Sequence, residues 1–379
     1  MLKKFKKDLS LNIQAALGQR VNRKIVVFES DDWGGIRMPS QEIYEILSSK
    51  IPLMKTDRFS KFDGLASADD LTALFEVLLK HKDSNGKHPA FTFNVTTGNP
   101  DFKQILHHNF ERFVVEPFHH TILREKPDAL ALWHQGLAQG LYQPQYHGRE
   151  HVNQKRWLTS LANGDTCVRQ AFNHGTYGFE PKFDGAEYLL AAYDYTAPHD
   201  EHYWKRSIDQ GIDIFKDFFG FAPETFIPPC YIAPQALVDY LNLKGVYALQ
   251  GKLYSFLPAG IVNQKRKYQK KIRTAGFDNK SGKVNLVRNC FFEPANGNGS
   301  VWVLDCLKRI ETAFKWAKPA VIDTHRVNYI GSIVEANRTE NLLLLNTLLT
   351  QILKKWPDVE FMTSDQLARL YKFNDEQRT

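Results

Sequence analysis

Two adjacent carboxylates, Asp31 and Asp32, follow a short apolar run near the start of the chain. Adjacent aspartates repel each other, and each raises the pKa of the other unless a cation or a hydrogen-bond donor separates their roles. One carboxylate could then bind a metal ion while its neighbour takes a proton. The alternative is a turn or a helix N-cap, where Asp is favoured because its side chain accepts backbone hydrogen bonds.

His147 and His151 are four residues apart, the spacing that places two imidazoles on one side of a helical turn. Two imidazoles and one carboxylate can hold zinc and leave an open position for water. Together with the Asp31-Asp32 pair, the histidines predict a divalent-metal site with Zn²⁺ as the expected ion. The alternative is a polar surface loop, because the chain contains 13 histidines and such a spacing is not rare.

The five residues from His147 to His151 also fit the H-x-x-E-H pattern, in which two histidines bind zinc and the glutamate, here Glu150, is the base of a metalloprotease. That chemistry requires the motif within a helix. Pro144 lies just upstream and Gly148 lies inside the motif, so a turn from a strand into a helix is favoured. The protease is therefore kept as the weaker alternative.

Two later motifs could complete an active site. In Pro228-Pro229-Cys230-Tyr231 the two prolines fix φ and have no N–H, so the next backbone donor is the Cys230 N–H, a candidate oxyanion donor. The alternative is that the prolines merely end a strand. Cys230 is not predicted to be a nucleophile, because no base is adjacent in sequence. His325 ends an apolar strand and could protonate a leaving group near neutral pH. Its alternative is a histidine at the edge of the core, bonded to backbone.

Charged residues also occur at a third strand end and in a lysine-rich run. Arg288 and Glu293 flank a strand end and could reach the same cleft. The lysine-rich run at 265–271 is interpreted as a solvated loop. Nucleic-acid binding is not predicted, because it would need more basic surface interleaved with aromatic residues.

The elements that must position these residues alternate between strands and helices. Residues 24–28 predict a buried strand, and 88–95 predict a second one. Between them, helices are expected after Ser40 and over 68–80, where Ser67 and Asp70 resemble a capping box. Further strands are expected at 245–249, 284–287, 320–323 and 359–362. This strand–helix–strand alternation predicts parallel βα units in an α/β fold.

Composition restricts the class of protein. The 379 residues are 43% hydrophobic and 13% aromatic, enough for a large core and against disorder. The net charge of +7 favours acidic or polar partners only slightly. Four cysteines without a CxxC pair argue against a zinc ribbon or a disulfide scaffold and fit a reducing compartment.

The N-terminus is basic but lacks the uninterrupted apolar stretch of a signal peptide. No run approaches the roughly 20 apolar residues that span a membrane. We therefore expect a cytoplasmic protein. Residues 1–22 predict an amphipathic helix outside the core, which could contact a membrane surface peripherally.

Taken in order, these motifs resemble the polysaccharide deacetylase superfamily (NodB-like, carbohydrate esterase family 4). The resemblance implies an irregular (β/α) barrel, here a single domain at 23–379 with long loop insertions near 100–145, 165–205 and 255–283. It also implies a divalent metal, usually zinc, and removal of acetyl groups from N-acetylated sugars, so the expected partner is a carbohydrate. The oligomeric state is not predicted.

The resemblance also implies roles for individual residues. Asp31 corresponds to the general base, the Cys230 N–H to the oxyanion donor and His325 to the general acid. The implied metal ligands are Asp32, His147 and His151. The predicted substrate-binding residues are Trp33, Tyr231, Arg288 and Arg326. Trp33 and the aromatic residues of the 165–205 insertion could stack on sugar faces.

The chain departs from the family pattern at several positions. Glu29 and Gly148 replace the usual Ser or Thr, and Cys230-Tyr231 replaces the usual aromatic-glycine pair. Ile227 lies where an arginine usually orients the base, a role that Arg288 or Arg326 could take over. These departures motivate a second hypothesis, a carbohydrate-binding protein that kept the metal but lost turnover.

Overall fold

The computed structural model describes residues 9, 11–179, 189–196, 198–263 and 265–376. Its strands are β1 (Ile25–Trp33), β2 (Phe91–Val95), β3 (Gly98–Pro100), β4 (Val115–Pro117), β5 (Tyr142–Tyr146), β6 (Thr225–Phe226), β7 (Ala248–Gly251), β8 (Tyr254–Val262), β9 (Lys265–Ile272), β10 (Gly276–Asp278), β11 (Lys283–Val287), β12 (Cys290–Phe291), β13 (Ala320–His325) and β14 (Glu360–Met362). Its α-helices cover Gln41–Lys50, Arg58–Phe62, Ala68–Leu79, Phe102–His107, Phe118–Glu125, Ala129–Ala138, Gln154–Ala162, Thr166–Asn173, Glu201–Phe219, Gln235–Leu243, Gly299–Lys315, Glu335–Lys355 and Ser364–Glu376. Short 3-10 helices cover Pro52–Lys55, Pro198–Asp200, Pro229–Tyr231, Pro294–Asn296 and Arg326–Tyr329.

Ten of the strands form one sheet in the order β10-β11-β7-β6-β5-β2-β1-β13-β12, with β14 beside β1. The pairings are parallel except between β10 and β11. Parallel strands are joined by crossover helices that cover the faces of the sheet. This explains why residues 25–28 are a continuous apolar run and why β1 is buried along its whole length. The predicted α/β class is confirmed.

The sheet curls into an irregular barrel. Apart from the short β10, its two edge strands are β11 and β12, and only Arg288 and Asn289 separate them in sequence. The Arg288 N–H donates to the carbonyl of Gly251 in β7, and the Asn289 N–H donates to that of Val321 in β13. The link therefore brings the β11 and β12 edges of the sheet together, although no hydrogen-bonded ladder pairs β11 with β12 among the described strands. This is the arrangement expected for an irregular barrel.

Local sequence signals placed several helices accurately. The predicted capping box is present, since Ser67 Oγ accepts from the Asp70 N–H and Asp70 accepts from the Ser67 N–H. Ser40 caps the helix Gln41–Lys50. These caps satisfy backbone N–H groups that have no partner inside the helix.

One predicted insertion contains a barrel strand. Tyr142–Tyr146, inside the stretch 100–145, is β5 and pairs with β2 along its whole length. Gln143 and Pro144 obscure the apolar pattern of this strand. Pro144 is tolerated because β5 pairs with β6 at Tyr146 only, so few ladder hydrogen bonds are lost on that side.

The basic run at 265–271 was predicted to be a loop, and this is wrong. It forms most of β9, which pairs antiparallel with β8 in the 255–283 insertion. Lysines disfavour strands in general, but both strands of this hairpin are largely exposed. The charged ends of the lysines can therefore stay solvated while the backbone pairs.

The N-terminal region is described in part. Of the predicted helix at 1–22, residues 1–8 and 10 lie outside the described residues. Residues 11–16 are helical, but 17–22 are not, so the helix ends earlier than predicted. Residues 180–188 of the 165–205 insertion also lie outside the described residues. Asn12 accepts a hydrogen bond from Trp316, and contact of this helix with a membrane stays a prediction. Throughout the described part of the chain, each helix is too short or too polar to cross a bilayer.

Candidate metal centre and active site

Asp32, His147 and His151 converge at the carboxyl end of the barrel strands, although they are far apart in sequence. His147 Nε2 lies 3.4 Å, and His151 Nε2 3.5 Å, from the same carboxylate oxygen, Asp32 Oδ1. All three side chains are buried. One ligand atom from each lies within 4.8 Å of the others, a separation that a single ion can bridge.

A bulge in β1 turns both adjacent aspartates toward this site. In a regular strand successive side chains point to opposite faces, which would separate Asp31 from Asp32. The pairing of β1 with β2 shifts register between Ser30 and Trp33, and Asp32 has a φ of +73°. This left-handed conformation costs about 1–2 kcal/mol for most residues, and Asp tolerates it better than most. Both carboxylates can therefore serve one site.

The donor set suits a divalent metal ion. His147 Nδ1 donates to the carbonyl of Ile227 at 2.9 Å, which leaves Nε2 available to bind a metal. Burial and, next, the nearby Arg37 lower the pKa of His151 to about 3, and the neutral imidazole is the form that binds metals. Asp32 Oδ2 is buried without a hydrogen-bond partner among the described residues. A metal ion would satisfy this otherwise costly oxygen.

Asp31 is held by Arg288, which reaches it from the link between β11 and β12. Arg288 donates from Nη2 to Asp31 Oδ1 at 2.6 Å and from Nη1 to Oδ2 at 2.7 Å. Asn94 at the end of β2 donates to Oδ1 at 2.8 Å. Burial raises the pKa of Asp31, but the ion pair with Arg288 outweighs it and the net pKa lies below the ordinary value. Asp31 is therefore ionised at neutral pH and able to accept a proton.

His325 lies beside Asp31 because β13 is parallel to β1 and the two residues are register partners. Its Nε2 is 3.8 Å from Asp31 Oδ2, and its Nδ1 hydrogen-bonds to the Glu293 carboxylate. Burial lowers the pKa of His325, but the Glu293 charge outweighs it and raises the pKa to about 9. His325 is therefore protonated at neutral pH, the state a general acid requires.

Replacing Glu293 with Gln is expected to shift the alkaline limb of the pH–kcat/KM profile to lower pH. Wild-type activity should fall as pH rises through about 9, where His325 loses its proton. Without the Glu293 charge, the limb should move toward the ordinary histidine pKa near 6.5. The measurement is kcat/KM from pH 5 to 10. Glu360→Gln is the control, because Glu360 lies in β14 beside Ile25, at the opposite end of β1 from Asp31. An unchanged limb would contradict the assignment of His325 as the acid.

A second cluster of possible metal ligands, Asp31, Asp323 and His325, also lies here. Its one imidazole, His325, is protonated at neutral pH because its pKa is raised to about 9, and a protonated imidazole does not bind a metal ion. Arg288 Nη1 is 2.7 Å from Asp323 Oδ1, and Lys252 Nζ is 3.1 Å from Asp323 Oδ2. Asp32, His147 and His151 are therefore the better candidate ligand set.

A cavity of about 220 Å³ opens over the candidate metal ligands. Its ionisable lining residues are Asp31, Asp32, Arg37, Asp57, His147, His151 and His325. Its apolar lining residues include Leu53, Met54, Phe59, Phe179 and Leu190. A group that enters this cavity therefore meets the candidate base, acid and metal ligands together with apolar side chains.

The turn after β6 brings Cys230 and Tyr231 to the same cavity. Both residues have a left-handed backbone, with φ of +56° and +60°. The Tyr231 hydroxyl donates to Asp323 at 3.3 Å and accepts from Arg288 at 3.2 Å. Cys230, predicted as the oxyanion donor, and Tyr231, predicted to bind substrate, thus both line the cavity. Their roles stay predictions.

Three residues predicted to bind substrate do not line this cavity. Trp33 is 1% exposed and stacks on Phe93 at 3.6 Å, because the bulge returns it to the core. Arg326 is fully buried and donates to Asp63 at 2.9 Å. Arg288 is buried behind Asp31. The direct-contact predictions for these residues are therefore corrected, and Arg288 has instead the position expected for the arginine that orients the base.

The protease alternative conflicts with the position of Glu150. Residues 147–151 are not helical, since the helix begins at Gln154. The Glu150 carboxylate accepts from Arg149 at 2.5 Å and from Gln154 at 2.6 Å, and it does not line the cavity. Gly148 is required in this loop because its φ is +91° and a Cβ would lie 2.7 Å from the Tyr193 hydroxyl. The motif is thus a turn that presents two histidines.

Sequence reasoning missed three residues that shape the site: Asn94, Lys252 and Arg37. Asn94 is the second-last residue of β2 and Lys252 directly follows β7, so the strand-end argument used for Asp31 would have found them. Arg37 lies in a loop and donates to Asp32 Oδ1 at 2.9 Å. No pattern in the sequence marks Arg37, because its role depends on a loop conformation.

No protein-family model matches the sequence, and a search of curated proteins finds no match. Solved structures similar to this chain include a probable polysaccharide deacetylase from Pseudomonas aeruginosa PAO1, with 10% identity, 92% of this chain and 91% of that chain covered, and a TM-score of 0.45. PuuE allantoinase matches with 10% identity, coverages of 92% and 90% and a TM-score of 0.42. A family 4 acetyl xylan esterase from Clostridium thermocellum, in complex with a cobalt ion, matches with 12% identity, coverages of 91% and 91% and a TM-score of 0.35. Since all three TM-scores are below 0.5, we infer function from the side chains of this chain alone.

Proposed function

We propose that this protein is a metal-dependent hydrolase that removes the acetyl group from an N-acetylated sugar. The observation that carries the proposal is the convergence of a buried Asp-His-His set with an ionised carboxylate, Asp31, and a protonated imidazole, His325. A metal site, a base and an acid around one cavity are the parts that amide hydrolysis needs. Zinc is the proposed ion, because neutral imidazoles and one carboxylate are typical zinc ligands. The proposed location is the cytoplasm, because all four cysteines are free thiols, as is usual in a reducing compartment.

In this mechanism, Asp32, His147 and His151 would hold the metal ion, which when bound polarises the acyl oxygen and lowers the pKa of water. Asp31, oriented by Arg288 and Asn94, takes a proton from the attacking water. The Cys230 N–H donates to the developing oxyanion. His325, kept protonated by Glu293, gives its proton to the leaving nitrogen.

Two cavities that share His325 support an orientation for the substrate. The apolar residues that line the cavity at the metal ligands suit the acyl group. A second cavity of about 550 Å³, which also borders His325, is lined by Lys252, Phe291, Trp302 and Arg309 among others. Its aromatic and cationic side chains suit a polar ring that leaves as the amine. His325 would then lie between the acyl and amine parts, where the scissile bond is.

Replacing Trp302 with Ala tests this orientation. We expect KM for an N-acetylated sugar to rise about three- to tenfold with little change in kcat, because an aromatic contact is lost. Hydrolysis of a small acetyl ester without a sugar should be unchanged. Trp316→Ala is the matched control, since Trp316 ends the same helix but does not line the cavity. Equal effects on both substrates would contradict the orientation.

A further inference from the structure

Arg37 is a second cation at the position where the metal ion is proposed to bind. Its Nη2 donates to Asp32 Oδ1 at 2.9 Å, and this is the oxygen that both histidine Nε2 atoms face. The Arg37 side chain is 5% exposed, and the Asp32 side chain 4%. The pair is therefore largely removed from water, and its charges interact more strongly than they would at the surface.

The position of Arg37 is determined on several sides. Its guanidinium lies over the Phe59 ring at 4.6 Å, and its Nε is 3.5 Å from Asp63 Oδ2. A Cβ on Gly178 would come within 3.2–3.3 Å of the Arg37 side chain, so the other wall is also close. The Arg37 carbonyl accepts from Thr176 Oγ1. Arg37 therefore cannot move far from Asp32 without disturbing packed neighbours.

Asp63 and Arg326 extend the pair into a buried chain of alternating charge. Arg326 donates to Asp63 at 2.9 Å and to the carbonyl of Gly35 at 2.6 Å. The series contains two carboxylates and two guanidinium groups that alternate and have no net charge: Asp32, Arg37, Asp63 and Arg326. Each buried carboxylate has an arginine partner without any metal ion.

A buried carboxylate without a counter-ion is strongly destabilising. An empty metal site therefore needs another group to compensate its buried carboxylate. Here Arg37 compensates Asp32 permanently. When a dication binds to Asp32, His147 and His151, it enters a region that already holds the guanidinium charge, so like-charge repulsion weakens its binding.

We propose that Arg37 is a permanent counter-ion of Asp32 that keeps the metal site folded when it is empty and lowers its affinity for the metal ion. This positioning role rests on the proposed function, because it needs the Asp-His-His set to be the metal site. Arg37 acts through Asp32 and takes no part in proton transfer.

The test compares Arg37→Gln with Arg37→Lys in the full chain. Gln can still donate a hydrogen bond to Asp32 but carries no charge, whereas Lys keeps the charge. Chelator-treated protein is titrated with Co²⁺ by its visible absorption and with Zn²⁺ in competition with a chromophoric chelator. Arg37→Gln is expected to bind both ions at least about tenfold more tightly than wild type. Arg37→Lys should stay within about threefold of wild type.

Thermal unfolding supplies a second readout that does not depend on activity. Without metal, Arg37→Gln should melt at a lower temperature than wild type, and saturating Zn²⁺ should raise its Tm by more than it raises that of wild type. Arg326→Gln is the matched control, because it removes a buried arginine from the same chain without touching Asp32. It should melt earlier, but its metal affinity should stay near that of wild type.

The outcomes separate this inference from the proposed function. Unchanged or weaker metal binding by Arg37→Gln, with normal binding by wild type, overturns the counter-ion role and leaves the metal site in place. If Arg37→Gln does not fold without metal, it is refolded in the presence of Co²⁺, and the metal affinity of Arg37→Lys is measured beside it. Folding restored by Co²⁺ supports the counter-ion role of Arg37, and failure of Co²⁺ to restore folding overturns it. If wild type binds neither ion, the metal assignment and this inference are both wrong.

Discussion

Asp31→Asn is expected to lower kcat/KM for an N-acetylated sugar by about 10²–10⁴-fold while leaving the metal content unchanged. The substitution keeps the size of the side chain but removes the group that takes the proton, and general bases contribute on this scale. The fold should survive, because Arg288 keeps its ion pairs with Glu29 at 2.6 Å and with Asp323 at 2.7 Å. The measurement is steady-state kinetics with metal analysis of the same preparation.

The matched control for this experiment is Glu150→Gln. Glu150 is the base that the H-x-x-E-H protease alternative requires, and in the structure its carboxylate is held by Arg149 and Gln154. We expect Glu150→Gln to retain the activity that Asp31→Asn loses. The reverse pattern would favour the protease. Absence of hydrolysis in wild type would favour the second hypothesis, a carbohydrate-binding protein that kept the metal and lost turnover.

Asp32→Ala is expected to lower metal affinity by more than about 100-fold and to abolish deacetylation. Removal of a residue that only supports a ligand commonly costs 10–100-fold, so loss of a ligand should exceed this. Asp32→Ala also leaves the buried Arg37 without its 2.9 Å partner, which by itself lowers stability. Asp32→Asn therefore accompanies it, because the amide keeps a hydrogen-bond acceptor for Arg37.

Metal content of the purified proteins, measured by elemental analysis, gives the answer. Asp32→Ala and Asp32→Asn should both be purified with less than one tenth of the metal in wild type, while Asp31→Asn should match wild type. Treatment of wild type with a chelator should produce the same loss of activity, reversed by Zn²⁺. Retention of a full equivalent of metal by both Asp32 variants would remove Asp32 from the ligand set and require a different site.

Much of the site could be predicted from the sequence because it depends on local signals. An apolar run that ends in Asp31-Asp32 predicts a parallel strand with carboxylates at its end, and the run before His325 predicts a second one. Adjacent parallel strands bring their carboxyl ends together, and Asp31 and His325 are indeed register partners. The spacing of His147 and His151 likewise depends on one short turn. Each of these signals is carried by residues close together in sequence.

The remainder depends on contacts that no local pattern encodes. The register shift in β1 sends Trp33 into the core and both aspartates to the cavity. Arg288 reaches Asp31 because the barrel edges meet at a two-residue link, and Arg37 reaches Asp32 from a loop. An arginine side chain is long and can serve any carboxylate within its reach, so its partner is decided by packing. The sequence alone therefore determined which groups could do the chemistry, and only the tertiary structure decided which cation compensates each carboxylate.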